Sequence, residues 1–204
     1  MNDKCLIIIF AKAPVAGQAK TRLAPVLGME GAARLAGVML RHTVRSAVQA
    51  ALGPVELCCA PDAGHTEFQL TAASLPVRLS AQCDGDLGAR MESALARGLE
   101  QFSRVVLIGT DAPGLDAGVL RAAAAALREH DAVFAPAADG GYVLVGLSRR
   151  APQLFAGIAW STPEVMHQTR ERIIALGLSV HELATMHDVD EPDDLAHVPP
   201  AWLA

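Results

Sequence analysis

The chain has 204 residues, of which 51% are hydrophobic and 19% charged, with a formal net charge of −5. These values fit a single α/β domain over residues 1–204 with a sizeable core, and they exclude a disordered protein. The acidic balance gives no basic field for a nucleic acid, so any polyanion must be bound locally, and small phosphates fit better than a duplex.

The first apolar run, "CLIIIF", reads as a strand. Runs of this kind are strand-sized and too short to span a bilayer, and "MNDKC" with the five apolar residues after it lacks the features of a signal peptide. No membrane partner and a cytoplasmic location are therefore expected. Next comes "FAKAPVAGQAKTRLAP", Phe10 to Pro25. A glycine/alanine-rich loop after a strand, carrying Lys12, Lys20 and Arg22, suits a phosphate. It is not a P-loop, because Pro14 and Ala19 stand where that pattern needs glycines, leaving only Gly17 and the Lys20-Thr21 pair. The competing reading is a solvated loop whose cations contact nothing.

A helix is expected over 29–51, then a strand at "VELCCA" and a weaker one at "PVRLS". Cys5, Cys58, Cys59 and Cys83 form no C-x-x-C pair and read as reduced core thiols. "QCDGDLGARM" places Asp84, Gly85, Asp86 and Gly88 ahead of a helix over 86–101. Asp86 and Gly88 could meet a nucleotide phosphate at that helix start, although taken alone they are better explained by a capped loop.

The run "VVLIG" predicts a central strand, with Asp111 just beyond it in "LIGTDAPG". A carboxylate at that place can hold Mg²⁺ or Mn²⁺, and the alternative is a turn cap before Pro113-Gly114. Asp116 can cap a helix ending near Glu129. "DAVFAP" and "YVLVGL" predict two further strands, joined through Asp139, Gly140, Gly141 and Tyr142. The glycines allow backbone to approach a ligand, yet Asp-Gly also marks an ordinary hairpin. Trp160 in "IAWST" offers either one stacking face or a core ring.

The last long helix is expected over 162–176, with Pro163 in its first turn and Gly177 stopping it. "HDVDEPDDL" then brings Asp188 and Asp190, which share one face if the backbone is extended. They either complete a metal site with Asp111 or cap a terminal helix beginning at Pro192. Of the histidines, His187 beside Asp188 is the one expected near the site, with a structural role as its competing reading, and "HELAT" lacks the second histidine of a zinc protease. Strands alternating with helices predict a doubly wound, mostly parallel sheet whose ligands collect at the carboxyl ends of its strands.

In this order, "FAKAPVAGQAKTRLAP", "QCDGDLGARM", "LIGTDAPGL", "APAADGGYVLVGL", "WSTPEVMHQT" and "HDVDEPDDL" resemble a small bacterial transferase family catalogued as a domain of unknown function. That family is placed among the nucleotide-diphospho-sugar transferases and labelled as glycosyltransferases, in some genomes of arsenosugar biosynthesis. The resemblance runs from Leu6 to about Leu195. The first and last motifs are also similar to phospholactate and molybdenum-cofactor guanylyltransferases.

What the resemblance implies is a GT-A-like three-layer α/β/α fold with a mostly parallel mixed sheet, and Mg²⁺ or Mn²⁺ as cofactor. Lys20 and Arg22 would contact phosphates, with Lys12 a weaker candidate and Gly17, Asp86 and Gly88 beside them. Asp111 would be the main metal ligand, joined by Asp190 and Asp188. Gly140, Gly141, Tyr142 and Trp160 would line the donor or acceptor pocket, and the candidate catalytic residues are Asp111, Asp139 and Lys20. The partners are then a nucleotide sugar or nucleoside triphosphate and a small acceptor, with a homodimer left open. Asp111-Ala112-Pro113 lacks a D-x-D pair, which keeps nucleotidyl transfer open beside sugar transfer. A non-catalytic nucleotide-binding module is the third reading.

Overall fold

The computed structural model describes residues 2–203. Its centre is β1 (Asn2–Lys12), whose residues from Cys5 to Ile9 are all buried. Ile7 and Ile9 pack on one face with Leu40 and Val44, while Leu6 and Ile8 pack on the other with Met91 and Leu95. A strand buried on both sides reads as a continuous apolar run without polar alternation, which is what "LIIIF" is.

Around it run β2 (Val55–Ala60), β3 (Val77–Ala81), β4 (Phe102–Ile108), β5 (Ala132–Pro136), β6 (Tyr142–Leu147) and β7 (Val180–Glu182). They form one sheet in the order β3-β2-β1-β4-β6-β5-β7. β6 is antiparallel to both neighbours, and the remaining pairs are parallel. The reversal matters for position. Leu144 of β6 pairs with Ile108 of β4, so β6 begins at the edge where β1 and β4 end. The strand order turns at β1 and β4, the place where an open sheet leaves a crevice.

Helices α1 (Ala24–Ala50), α2 (Thr66–Ser74) and α4 (Ala117–Ala126) contribute to one face, and α3 (Leu87–Leu99) and α5 (Val165–Leu176) to the other. The expected mixed α/β sheet in three layers is therefore present. Among the strands and α-helices, α2 and the three-residue β7 were not anticipated. The first helix starts at Ala24, five residues before the expected place, and bends at Gly28, whose φ of 71° no helix interior uses. Preceded by a 3₁₀ turn, the helical stretch Thr21–Ala50 is long and apolar enough to cross a membrane by length and composition, a property that strand-sized runs do not reveal. Its Leu35, Met39, Leu40 and Val44 are buried within the protein.

Cys5, Cys58 and Cys59 are buried free thiols as expected. Cys83 corrects the expectation: it lies beyond the end of β3 and is exposed. A small third cluster joins Leu23, Leu35 and Met39 to Val189 and Val198, so residues near the C-terminus are strapped across the start of α1.

Candidate functional site

A cavity of about 670 Å³ opens where β1 and β4 end and β6 begins. Separate stretches of chain supply its polar wall: Lys12 at the end of β1, Lys20 and Arg22 after it, Gln82 after β3, Asp111 after β4, Asp139 and Gly141 before β6, Ser161 and Thr162, and Asp188 with Asp190.

The loop after β1 folds on itself before it reaches the cavity. Gly17 takes a positive φ, and the amides of Gln18 and Ala19 donate to the Val15 carbonyl at 3.0 and 2.9 Å. Lys12 Nζ donates to Gln18 O at 2.9 Å. Lys20 also has a left-handed backbone, φ 50°, and its side chain turns inward until it is only 6% exposed. Its ammonium donates to Asp111 Oδ1, to the Val189 carbonyl at 2.6 Å and to Asp190 Oδ1 at 2.9 Å. Burial alone would lower the lysine pKa. The two carboxylates more than offset it and hold Lys20 above its ordinary value.

Asp111 and Asp190 remain 46% and 49% exposed toward the cavity side. Asp190 is held from behind, because its N–H and that of Glu191 donate to Asp194 Oδ2 at 3.0 and 2.7 Å. The capping reading holds for Glu191 and Asp194, which form a capping box on the 3₁₀ helix Pro192–His197, while Asp190 instead faces Lys20. Asp188 reaches the same cavity, with the fully buried Val189 between the two. Burial pushes the Asp188 carboxyl up to about 6, and the neighbouring charges of Asp139, Asp190 and Asp111 add to the rise. Four carboxylates therefore gather at one cavity, two of them on the buried ammonium.

The opposite wall is aromatic. Tyr142 meets Phe134 edge-on at 5.1 Å and Trp160 at 6.3 Å, and burial drives its phenol well above the usual range. Trp160 is half-buried and lines the cavity. Two glycines make this wall possible. A Cβ on Gly88 would lie 2.7 Å from both Trp160 Nε1 and the Phe155 carbonyl, and one on Gly140 would lie 2.1 Å from the Pro163 carbonyl.

The structure thus gathers Lys12, Lys20, Arg22, Asp111, Asp139, Gly141, Tyr142, Trp160, Asp188 and Asp190. Gly17, Asp86, Gly88 and Gly140 are not on the lining. Asp86 is the cap of α3, accepting from Ala89 N at 2.8 Å, and Gly88 and Gly140 act by letting the 155–163 segment come close. The turn at Asp139 is also a true hairpin: its Oδ1 accepts from Gly141 N at 2.8 Å. Exposed His187 stacks on His197 with ring centroids 3.8 Å apart and is not on the lining. Sequence reasoning missed Gln82 and Thr110, which the strand-end rule would have flagged beside β3 and β4, and the Val189 carbonyl, which has no side-chain signature.

Among the described residues no group of three or more His, Cys, Asp or Glu is arranged to hold a metal ion. The donor chemistry nevertheless fits a hard divalent ion, since Mg²⁺ commonly takes one or two carboxylates and fills its remaining positions with phosphate oxygens and water. The Lys20 ammonium already stands as a cation between two such carboxylates.

A sequence family described as "Uncharacterized protein conserved in bacteria" (DUF2064) matches residues 43–162. Among solved structures, a protein from Desulfovibrio desulfuricans G20, provisionally described as a nucleotide-diphospho-sugar transferase, is 32% identical with a TM-score of 0.82. The alignment covers 96% of this chain and 85% of that one. A nucleotidyl transferase from Methanothermobacter thermautotroptrophicus shares the fold at 14% identity and TM-score 0.66, covering 99% of both chains. Rv0371C of Mycobacterium tuberculosis H37Rv, solved in complex with manganese, does so at 20% identity and TM-score 0.56, covering 95% of this chain and 96% of that one. No curated protein matches the sequence.

Proposed function

This chain belongs to the bacterial family DUF2064, and on that premise we propose that it is a metal-dependent transferase that takes a nucleotide-activated donor and hands a sugar to a small acceptor. The observation that carries the reading is the cavity at the ends of β1 and β4, where the buried ammonium of Lys20 meets the carboxylates of Asp111 and Asp190. The description of the 32% identical Desulfovibrio protein favours the sugar donor.

Asp111 and Asp190 would hold the divalent ion, which when bound supplies positive charge to the departing phosphate. Lys12, Lys20 and Arg22 bind the phosphates of the donor from the β1 side. Tyr142 and Trp160 exclude water from the other side and give one aromatic face to the sugar or acceptor. Asp139 is the candidate base on the cavity wall, and Asp188, with its raised pKa, holds a proton closer to neutrality than an ordinary aspartate does.

Nucleotidyl transfer is the second reading, favoured by the missing D-x-D pair after Asp111 and by the nucleotidyl transferase that shares this fold from end to end. The two differ in the bond that breaks, at an anomeric carbon or at the α-phosphorus, and the same cations serve either leaving group.

Thermal unfolding with Mn²⁺ against nucleoside triphosphates, diphosphates and nucleotide sugars separates them. A ligand at about a hundred times its dissociation constant stabilises the fold by roughly 2.7 kcal/mol. Preference for a nucleotide sugar supports glycosyl transfer, and preference for one triphosphate supports nucleotidyl transfer. Asp111→Asn is expected to fold and to lose the metal-dependent part of the shift. An unchanged shift in that variant removes Asp111 from the metal.

A further inference from the structure

We infer that Lys20 is the resident cation of the metal site, and that this site takes its divalent ion together with a diphosphate group, with Lys20 passing from carboxylate to phosphate as the pair enters. The inference rests on the transferase reading and adds the form in which its cation and donor arrive.

All three ammonium hydrogens of Lys20 are committed, one each to Asp111, Asp190 and the Val189 carbonyl. An ammonium carries no acceptor, so this coordination is saturated and nothing on Lys20 is left over for a phosphate. A divalent ion arriving alone must share Asp111 and Asp190 with a positive charge already seated between them, and like charges oppose its entry. A diphosphate removes that conflict. Its oxygens offer Lys20 acceptors that replace the carboxylates, and its negative charge offsets the added cation.

The third partner stays in place during this exchange. Val189 is fully buried, and its N–H donates to the Asp111 carbonyl at 2.9 Å. The Val189 carbonyl is therefore a fixed anchor about which the Lys20 ammonium changes its other two acceptors. The left-handed backbone at Lys20 keeps the side chain aimed inward throughout.

The experiment is Mn²⁺ binding followed by the paramagnetic resonance of free Mn²⁺, with the 204-residue protein and Lys20→Met, each with and without inorganic pyrophosphate and corrected by a protein-free titration for the Mn²⁺ that pyrophosphate itself binds. For the natural protein, pyrophosphate is expected to tighten Mn²⁺ binding about tenfold, an ordinary size for coupling between two ligands. Lys20→Met is expected to bind Mn²⁺ alone about tenfold more tightly than the natural protein and to lose most of the pyrophosphate effect. Weaker or unchanged Mn²⁺ binding by Lys20→Met overturns the inference, because a lysine that only positions the carboxylates gives the first result and a simple phosphate ligand gives the second. If Lys20→Met does not fold, the natural protein alone still decides: equal Mn²⁺ affinity with and without pyrophosphate overturns the inference. The transferase reading fails separately, when Mn²⁺ and pyrophosphate are coupled yet no triphosphate or nucleotide sugar shifts the unfolding temperature.

Discussion

Glu56 carries a carboxylate into β2 that is almost completely buried, and it is tolerated because it is fully partnered. Arg97 donates to both of its oxygens, at 2.6 and 3.0 Å, and Ser80 Oγ donates to one of them at 2.6 Å. Burial by itself would raise the Glu56 pKa, but these donors together bring it below its ordinary value. A carboxylate whose pKa is depressed on folding contributes stability above its unfolded pKa, near 4.3, and loses it as pH falls through the folded value. Glu56→Gln is therefore expected to lower stability at pH 7 by about 1–3 kcal/mol, discounted because Arg97 is partly exposed. It should also flatten the fall in melting temperature between about pH 5 and pH 3. Melting curves across that range check it, and an unchanged slope in the variant denies Glu56 the role.

Single residues were also where the sequence spoke most plainly about the site. Lys20 and Asp111 could be selected because each follows an apolar run, and Asp190 because it alternates with Asp188 in an acidic run that matches a motif of the family the chain resembles. Their mutual contact could not be read, since Lys20 lies 91 and 170 residues from its two partners. A charged residue on a loop looks the same in sequence whether it is free for a ligand or held by two carboxylates.

Among the elements, the start of α3 and the 155–163 segment are locked together through Gly88. Gly88→Ala would drive a methyl into Trp160 and the Phe155 carbonyl, and overpacking of this kind costs about 1–3 kcal/mol. The expected outcome is a lower melting temperature with a shift in Trp160 emission, recorded in a Trp202→Phe background because those are the protein's two tryptophans. Normal emission would mean that the aromatic wall does not depend on this glycine.

Asp194→Ala tests the other wall: it frees the N–H groups of Asp190 and Glu191, with a loss of about 0.5–2 kcal/mol as for other helix caps. Mn²⁺ binding in the presence of pyrophosphate should weaken in this variant, since Asp190 is no longer fixed. Equal binding would show that the cap serves only the 3₁₀ helix.

The long strands and helices were legible because their apolar periods are strong. α2 was not, because it buries only Phe68 and Thr71 and is started by His65 Nδ1 accepting from Glu67 N, a cap outside the usual set. β7 is three residues at the sheet edge, too short for alternation to show. The early start of α1 was hidden by Gly28, which interrupts the helical pattern that sequence reading follows.

For the whole molecule, the site joins both ends of the chain to its middle. The match to the family spans residues 43–162, yet Lys20 and Asp190 lie outside that span and meet each other across the cavity. What holds them is the C-terminal strap, where Val189 and Val198 pack with Leu23, Leu35 and Met39, and Leu195 and Trp202 lie against the same cluster. This cluster is smaller than the two that cover the sheet, so it is expected to open locally at a lower free energy. Amide hydrogen exchange should show residues 187–203 exchanging faster than β1 and β4, and slowing when Mn²⁺ and a bound nucleotide are added. Exchange as slow as the central strands would mean that the strap is part of the global unit.

The separation of Lys20 from Asp190 also bears on how the protein is made. On the ribosome Lys20 is joined 170 residues before Asp190, an interval of roughly ten to thirty seconds at ordinary elongation rates. Only late in that interval, once the residues through β6 have been made, can β1 to β6 pair and Lys20 meet Asp111, and the second carboxylate still does not exist. The proposed donor site is therefore incomplete until residues 187–203 have been made and pack over the start of α1.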